Sequence, residues 1–524
     1  MELNRSIARK ASGGTFLVSA IPAAVVLTAL LVAVFLLKRN FSSGAWIDEY
    51  ATLWFADPSI DLPTIYRERW LAETNPPLYY FLVWIFRRFS DGDIEKLRAV
   101  HVGFLASSVA YLVWTGRRHA QFVPFLAAAG ILFLSSGDQF RYFIELRSYY
   151  WQICWSFTFS VSLALLLGRP RPPAAQDRLD RLDGAVFVAT LFTLLNLHFT
   201  AALLAGAVSA VAIVYAFVRR DWRLARFLAL SVVVCTGLAA TFVLIRLSML
   251  TRQLDTFWIA TTPPQVVRLM MDVARGAISK NVVLLALLGL ALLASVLRRV
   301  SRGGPATSPA RAFAHPFAVA IVFATGVLGF FATLCVFSLF KPIVILRYLV
   351  VAGPPLTVAC CLGAADLLER RPIVLAGVFA NGLVGVALLA AQPGQPRDDA
   401  AGRMLAQFHA TCPETPILGV AYGDPRGFAE TGDRYLARRF RVPIETVRIG
   451  PAWTPPRSAT CPTVLWSSHL FEMALPNRVD QIVTAAQLVR VMRLRLTDDD
   501  LARAEIHLLD GADPILVLPP SGSR

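Results

Sequence analysis

The stretch TFLVSAIPAAVVLTALLVAVFLL, residues 15 to 37, decides the class of fold. It carries no charged residue, and a helix of this length covers the roughly 30 Å hydrocarbon core of a bilayer. Lys38 and Arg39 follow it, where a secretory signal peptide would instead have small residues and a cleavage site. The stretch therefore predicts an uncleaved first transmembrane helix.

Similar apolar stretches recur along the chain. Hydrophobic residues make up 56% of the sequence and charged residues only 16%, and the mean hydropathy of +0.56 lies outside the range of soluble proteins. We therefore expect a polytopic α-helical membrane protein with about 11 to 13 spans. The candidate spans lie near residues 15–37, 99–116, 120–137, 149–167, 184–197, 200–218, 227–249, 281–297, 313–337, 348–366 and 372–391.

The strong positive charge of the chain has an explanation in the membrane. The net charge is +16, and most of the basic residues are arginines in short loops between apolar stretches. Arginine and lysine accumulate in the cytoplasmic loops of membrane proteins, so this distribution orients the helices and does not indicate binding to nucleic acid. Membrane lipids are the expected surroundings.

The stretch PPLYYFLVWIFRRF, residues 76 to 89, leaves two topologies open. It is apolar but shorter than a typical span. As a crossing, it would place the arginine-rich loops outside; as an interfacial or re-entrant helix with aromatic residues at headgroup level, it would place them inside. We prefer the second topology, which puts residues 38–98 and the chain after residue 392 on the outer face.

The composition changes sharply after the last predicted span. Short apolar runs (ILGVAYG, TVLWSS and PILVLP) alternate there with helix-like stretches such as RVDQIVTAAQLVRVMRL. This pattern predicts an extracytoplasmic α/β domain at 393–524, after a transmembrane domain at 1–392 whose first outer loop is 38–98. Cys412 and Cys461 lie in the α/β region, where an oxidising compartment would permit a disulfide.

Polar residues suited to chemistry collect on the predicted outer face. Asp48 and Glu49 follow the first span in WIDEYATLWFADPS, and carboxylates at a membrane exit are costly to desolvate. Each candidate also has a structural alternative, because acids favour the first turn of a helix and basic side chains anchor lipid headgroups. The other candidates are Asn75, Arg141, Glu145, Arg147, Tyr149, His198, Lys341, Arg347 and Tyr348.

Six motifs that contain these residues occur in an order that resembles a known family. They are WIDEYAT, NPPLYYFLVW, LRAVHVGFLASS, FRYFIELRSYY, LNLHFT and KPIVILRYLVVAGP. The ordered set resembles the GT-C glycosyltransferases of the protein O-mannosyltransferase and aminoarabinose transferase type, over about the first 370 residues. No single motif is specific to this family, whereas the six motifs in this order are.

The resemblance implies roles for individual residues. Asp48 matches the catalytic aspartate of that family and Glu49 its partner. Asn75 stands where the family often has His or Lys, and an amide can neither carry charge nor act as a base near neutral pH. We expect Lys341 and Arg347, with Arg147 and Arg141 behind them, to bind the donor phosphate, because guanidinium groups bind phosphate oxygens in a bidentate manner. We expect Asn75, Glu145, Tyr149, His198 and Tyr348 to contact substrate.

The resemblance also implies a reaction. A polyprenyl-phosphate donor would lose its sugar, with inversion, to an acceptor that Asp48 deprotonates as general base, on the periplasmic face of a bacterial inner membrane. The acceptor could be the lipid A core, an envelope glycan, another lipid or a protein. A divalent metal ion shared by Asp48 and Glu49 stays an option, although no His or Cys pair has ligand spacing.

Other functions are compatible with many spans. A transporter or flippase predicts charged or helix-breaking residues in the middle of spans and an inverted repeat. An O-antigen polymerase or ligase predicts a large loop with Arg and His and no acidic pair after the first helix, and a non-catalytic scaffold predicts neither. The polar residues of this chain lie at span ends on one face, which favours the glycosyltransferase.

Overall fold

The computed structural model of the protein describes residues 2–73, 75–168, 179–255, 262–280, 315–340, 344–421, 427–449, 453–467, 484–509 and 512–522. The helices up to residue 390 are α1 (Glu2–Phe41), α2 (Ile47–Phe55), α3 (Leu62–Glu68), α4 (Leu78–Arg87), α5 (Ile94–Ala99), α6 (His101–Arg118), α7 (Val123–Leu134), α8 (Gly137–Tyr142), α9 (Tyr149–Gly168), α10 (Leu179–Leu197), α11 (Phe199–Val218), α12 (Trp222–Asp255), α13 (Pro263–Lys280), α14 (Pro316–Phe340), α15 (Gly353–Gly363), α16 (Ala365–Arg370) and α17 (Pro372–Ala390). Short 3-10 helices cover Trp70–Ala72, Ala120–Phe122, Leu346–Tyr348 and Val350–Ala352.

The chain after residue 392 mixes helices with a sheet. Its helices are α18 (Asp398–Thr411), α19 (Phe428–Phe440), α20 (Ala485–Val491) and α21 (Asp498–Arg503), and its strands are β1 (Ile417–Ala421), β2 (Glu445–Arg448), β3 (Thr463–Trp466), β4 (Glu505–Leu509) and β5 (Ala512–Leu518).

Among the described residues, eight helical segments are long and apolar enough to cross a membrane, and the polytopic class is confirmed. They are Ile21–Phe41, Ile94–Arg118, Tyr149–Gly168, Phe199–Val218, Trp222–Ile245, Pro316–Phe340, Leu346–Gly363 and Pro372–Ala390. The predicted spans at 120–137 and 184–197 coincide with the shorter apolar helix Ala120–Leu134 and with α10. The predicted span at 281–297 lies outside the described residues.

The ambiguous stretch after Pro77 forms α4, a helix of 10 residues. At a rise of about 1.5 Å per residue it is roughly half as long as the hydrocarbon core is thick. The helix is therefore too short to cross, which agrees with the preferred topology, and its location at the membrane interface stays a prediction.

The chain divides into two compact units. The first unit comprises Met1–Leu37, Trp70–Tyr79 and Ala99–Gln392, and the second comprises Lys38–Arg69, Tyr80–Arg98 and Pro393–Arg524. The domain boundary at residue 392 stays a prediction from the sequence. The structure adds that two pieces of the first loop belong to the same compact unit as the C-terminal region.

Helix α9 lies at the centre of the packing in the first unit. It is buried along nearly its whole length and packs against α6, α10 and α15. Polar side chains tie α9 and α6 to neighbouring segments. Ser156 Oγ donates to the Val351 carbonyl in a 3-10 helix at 2.9 Å, and the buried His101 ring nitrogen Nδ1 lies 2.9 Å from the Phe143 carbonyl oxygen just after α8. Such bonds satisfy polar groups where lipid offers no partner.

The second unit contains a five-stranded sheet with the order β2-β1-β3-β5-β4. Strands β1, β2 and β3 are parallel, and β5 is antiparallel to both β3 and β4. Three predicted apolar runs form β1, β3 and β5, which confirms the small α/β fold of the C-terminal region. Cys412 and Cys461 form a disulfide that joins the end of α18 to the residues before β3.

Candidate functional site

The acidic pair, Asp48 and Glu49, occupies the first turn of α2 in the second unit. The helix begins after Trp46, whose backbone is extended. Carboxylates in a first turn interact favourably with the partial positive charge at a helix N-terminus. Asp48 is half-buried, whereas Glu49 has no exposed surface. The two neighbours therefore have different environments.

Aromatic packing fixes α2 both next to the acidic pair and at its far end. The ring of Tyr50 lies 5.8 Å from that of Tyr435, and the ring of Phe55 lies 5.7 Å from that of Phe428. Both partners belong to α19, so the helix that carries the acidic pair packs against a helix of the C-terminal region. Tilted aromatic pairs at such distances contribute about 0.5–1.5 kcal/mol each beyond their buried area.

Arg98 neutralises Glu49 in a buried bidentate ion pair. Arg98 Nε donates to Glu49 Oε1 at 2.7 Å, and Nη2 donates to Oε2. The remaining donors reach two backbone carbonyls just before α2, those of Ser43 at 2.9 Å and Gly44 at 2.8 Å. A guanidinium held by this many partners has one orientation, and it fixes the backbone around the acidic pair.

This arrangement does not fit a divalent ion shared by Asp48 and Glu49. Both Glu49 oxygens accept hydrogen bonds from Arg98, whose positive charge would lie beside such an ion. Within the described ranges, no group of three or more His, Cys, Asp or Glu side chains is placed to hold a metal. Glu49 is thus the buried ion-pair partner of Arg98, and a role beside Asp48 stays a prediction.

Sequence reasoning did not assign a role to Arg98. The residue stands in the quoted motif LRAVHVGFLASS, yet the motif served only to support the resemblance. An arginine where a polar loop passes into an apolar stretch is the signal that could have identified it, because a charge that becomes buried there needs an acidic partner.

Three distant segments of the first unit meet in a second group of predicted residues. Tyr149 begins α9, His198 immediately precedes α11, and Arg347 and Tyr348 lie in the 3-10 helix Leu346–Tyr348. The His198 ring lies 5.8 Å from that of Tyr149 and 5.3 Å from that of Tyr348. The Arg347 guanidinium lies 5.8 Å from the Tyr149 ring. We refer to these four residues as the aromatic cluster.

His198 is a neutral member of the aromatic cluster. Its Nδ1 accepts the backbone N–H of Thr200 at 3.2 Å and so caps the N-terminus of α11. Burial, followed by the positive charges of Arg147 and Arg347, lowers the pKa of His198 to about 3. A neutral imidazole that accepts at Nδ1 carries its proton on Nε2. His198 can therefore donate a hydrogen bond but does not act as a cation.

The turn before α9 carries three more of the predicted residues. Glu145 is buried and Arg147 is half-buried, and the Arg147 backbone N–H donates to the Glu145 carbonyl at 2.8 Å. Arg141 is exposed, with its guanidinium 5.5 Å from the Tyr142 ring. Arg147 is thus the arginine of this turn that acts on the electrostatics of the aromatic cluster.

The two remaining predicted residues are Asn75 and Lys341. Asn75, in the first unit, donates from Nδ2 to Glu73 Oε1 at 3.2 Å. Lys341 lies outside the described residues. The roles of all the predicted site residues stay predictions at this point.

Comparison with known proteins identifies the fold. No protein-family model and no curated protein matches the sequence. Among solved structures, the crystal structure of ArnT from Cupriavidus metallidurans in the apo state is similar, with a TM-score of 0.52 and 15% sequence identity over 97% of this chain and 98% of that one. At this identity the likeness shows the fold alone. The chain therefore has the fold of this ArnT structure, which agrees with the fold class predicted from the order of its motifs.

Proposed function

We propose that the protein is a membrane glycosyltransferase that takes a sugar from a polyprenyl-phosphate donor and transfers it, with inversion, to an extracytoplasmic acceptor. The observation that carries the proposal is the environment of the acidic pair on a GT-C fold. Glu49 is buried against Arg98, while its neighbour Asp48 is only half-buried at the start of a helix that follows the first span. ArnT, the structural neighbour, is an aminoarabinose transferase.

Asp48 is the general base in this proposal. It takes the proton from an acceptor hydroxyl or amine as the oxygen or nitrogen attacks the anomeric carbon, and the sugar-phosphate bond breaks. A single displacement inverts the anomeric centre. General-base assistance contributes about 10²- to 10⁴-fold to the rate of such reactions.

We assign the leaving phosphate to Arg347 and Arg147. Arg347 and Arg147 are half-buried, and the charges of both act on His198. Guanidinium groups bind phosphate oxygens in a bidentate manner and stabilise charge that grows as the bond to the sugar breaks. The Nε2–H of the neutral His198 supplies a further donor, and the half-buried Tyr348, which packs on His198 and Tyr149, supplies a flat surface for a sugar ring.

The extracytoplasmic side is the proposed location of the chemistry. The Cys412–Cys461 disulfide supports it, because disulfides persist in oxidising compartments such as the periplasm. In a bacterium the protein would lie in the inner membrane, with the acceptor drawn from lipid A core, envelope glycan, lipid or protein.

The experiment is a transfer assay with purified protein and synthetic short-chain polyprenyl-phosphate sugars, in which release of polyprenyl phosphate is followed by mass spectrometry. Asp48→Asn should lower the rate by about 100-fold or more while donor binding persists. Asp61→Asn is the matched control: Asp61 is an exposed acid in the same loop whose side chain accepts the Thr64 backbone N–H at 3.1 Å as the N-cap of α3. It should keep wild-type turnover, because Asn also caps helices.

Normal turnover by Asp48→Asn would reject the role of Asp48. Movement of the intact lipid-linked sugar across a proteoliposome membrane, without cleavage of its sugar-phosphate bond, would favour a transporter. Mass spectrometry of envelope lipids and glycans from a deletion strain would identify the acceptor through the one sugar that disappears.

A further inference from the structure

A short piece of chain after the last span runs beside the residues that lead into α2. This linker segment, residues 394–399, belongs to the second unit, as do residues 42–49. The Gly44 backbone N–H donates to the Gln395 carbonyl at 2.8 Å, and the Gln395 N–H donates to Ser43 Oγ at 3.1 Å. The two segments are thus joined by hydrogen bonds directly before the acidic pair.

The contact between these segments is too close for larger side chains. A Cβ on Gly44 would lie 2.0 Å from the carbonyl oxygen of Pro396, and a Cβ on Gly394 would lie 2.3 Å from Ser42 Oγ. Real Cβ atoms do not approach oxygen so closely, so glycine is required on both sides. The fit is therefore specific to this pair of segments.

Arg397 occupies a costly backbone conformation in the linker segment. Its φ is 45° and its ψ is −140°, a region that favours glycine. A residue other than glycine in such a region costs about 1–3 kcal/mol, and such residues persist where the surrounding structure requires them. Contacts of the Arg397 side chain must therefore offset the cost of this backbone conformation.

The Arg397 side chain contacts residues on both sides of Asp48 in the sequence. Its guanidinium lies 5.1 Å from the Trp46 ring, and Nη1 lies 3.8 Å from Glu49 Oε2. Nε donates to Gln395 Oε1 at 3.1 Å, which orients the group. Only 12% of the side chain is exposed. The cation is held against the turn that presents Asp48.

Neutralisation of Glu49 does not explain this arrangement. Arg98 already donates to both Glu49 oxygens at shorter distances. The contacts of Arg397 instead reach the residue before α2 and its first turn, so they restrict the direction in which that turn points.

We propose that Arg397 is a positioning residue for Asp48, and that the linker segment forms part of the scaffold of the acidic pair. This inference rests on the proposed function, in which Asp48 is the general base. A displacement of a reacting group by about 1 Å can slow a reaction about 100-fold, which gives the size of effect that such a residue controls.

The test compares Arg397→Ala, Arg397→Lys and Arg397→Gly with Arg441→Ala in the full-length protein. Arg441 is the matched control, because it is an exposed arginine of the same unit that also has a positive φ, 55°, at the end of α19. Arg397→Ala should lower kcat by about 10- to 100-fold and change KM for the donor less than about threefold, and Arg397→Lys should restore part of kcat. Arg441→Ala should match the wild type.

Hydrogen-deuterium exchange provides a readout that does not depend on activity. Arg397→Gly removes the backbone strain and the side chain together, so it should keep the fold, and exchange should rise in residues 43–50 alone. Equal kcat for Arg397→Ala and Arg441→Ala would overturn the inference, as would faster exchange across the whole second unit in every Arg397 variant. A wild-type protein without transferase activity would refute the proposed function, whereas the exchange result would still decide whether Arg397 holds the start of α2.

Discussion

Arg98 and Glu49 form an ion pair in which neither side chain has any exposed surface, with Arg98 Nε 2.7 Å from Glu49 Oε1. The partners lie 49 positions apart in the sequence, and their contact joins the start of α2 to the start of the next long helical segment. Two buried charges with this geometry satisfy one another, and loss of either residue leaves the other charge buried without its bidentate partner.

We expect Arg98→Met to lower the free energy of unfolding by about 3–5 kcal/mol, because it leaves the Glu49 carboxylate buried without its partner. The free energy of unfolding of Arg98→Lys should lie between those of Arg98→Met and the wild type, since lysine keeps the charge but not the bidentate geometry. Thermal unfolding in detergent, followed by the fluorescence of a thiol- or environment-sensitive dye, measures the change.

The control for this substitution is Arg434→Met. Arg434 pairs with Glu430 one helical turn away, and both side chains are largely exposed. Exposed pairs contribute at most about 1 kcal/mol, so this variant should unfold close to the wild type. Equal stability of the Arg98 and Arg434 variants would contradict the importance of the buried pair.

Gly44→Ala should destabilise the second unit by about 1–3 kcal/mol, because the added Cβ would meet the Pro396 carbonyl oxygen at 2.0 Å. The proposed transferase activity should fall with it, since the acidic pair follows four residues later. Limited proteolysis and the transfer assay would report the two effects.

Gly103→Ala is the matched substitution in α6. A Cβ there meets nothing within 4 Å, so neither stability nor activity should fall. Equal stability and equal activity of Gly44→Ala and Gly103→Ala would contradict the importance of the close approach between Gly44 and the linker segment.

The buried carboxyl of Asp398 should make the stability of the protein depend on pH. Burial, followed by the neighbouring Asp513 carboxylate, raises the pKa of Asp398 well above its usual range. The folded protein then keeps a proton that the unfolded chain releases above about pH 4, so this residue makes the protein less stable as pH rises. Asp398→Asn should raise the unfolding temperature at pH 7.5, and the gain should shrink towards pH 4.5.

Asp61→Asn is expected to lower the unfolding temperature at neutral pH, in contrast to Asp398→Asn. The hydrogen bonds from Thr64 lower the pKa of the exposed Asp61 carboxyl, so its contribution to stability is present at neutral pH and is lost in acid. If the rise in unfolding temperature caused by Asp398→Asn became larger as the pH fell, it would contradict the assignment of a protonated carboxyl at that position.

Much of the fold could be predicted because hydropathy is a local property. An apolar run of span length must avoid water wherever it stands, and alternating short apolar runs and helix-like stretches identify an α/β region in the same local way. The predicted span at 120–137 shows the limit. Composition alone could not distinguish the helix Ala120–Leu134 from a full-length span, because packing against neighbouring helices decides how far a helix extends.

The sequence by itself determined that this chain is a membrane protein with a small α/β region, and that an acidic pair follows its first span. Only the tertiary structure decided that Glu49 is held by Arg98, that Arg397 contacts the turn around Asp48, and that Tyr149, His198 and Tyr348 lie side by side. The physical reason is that these contacts join segments far apart in the chain. Their formation depends on the directions in which packed helices present their side chains, and no local pattern of residues encodes those directions.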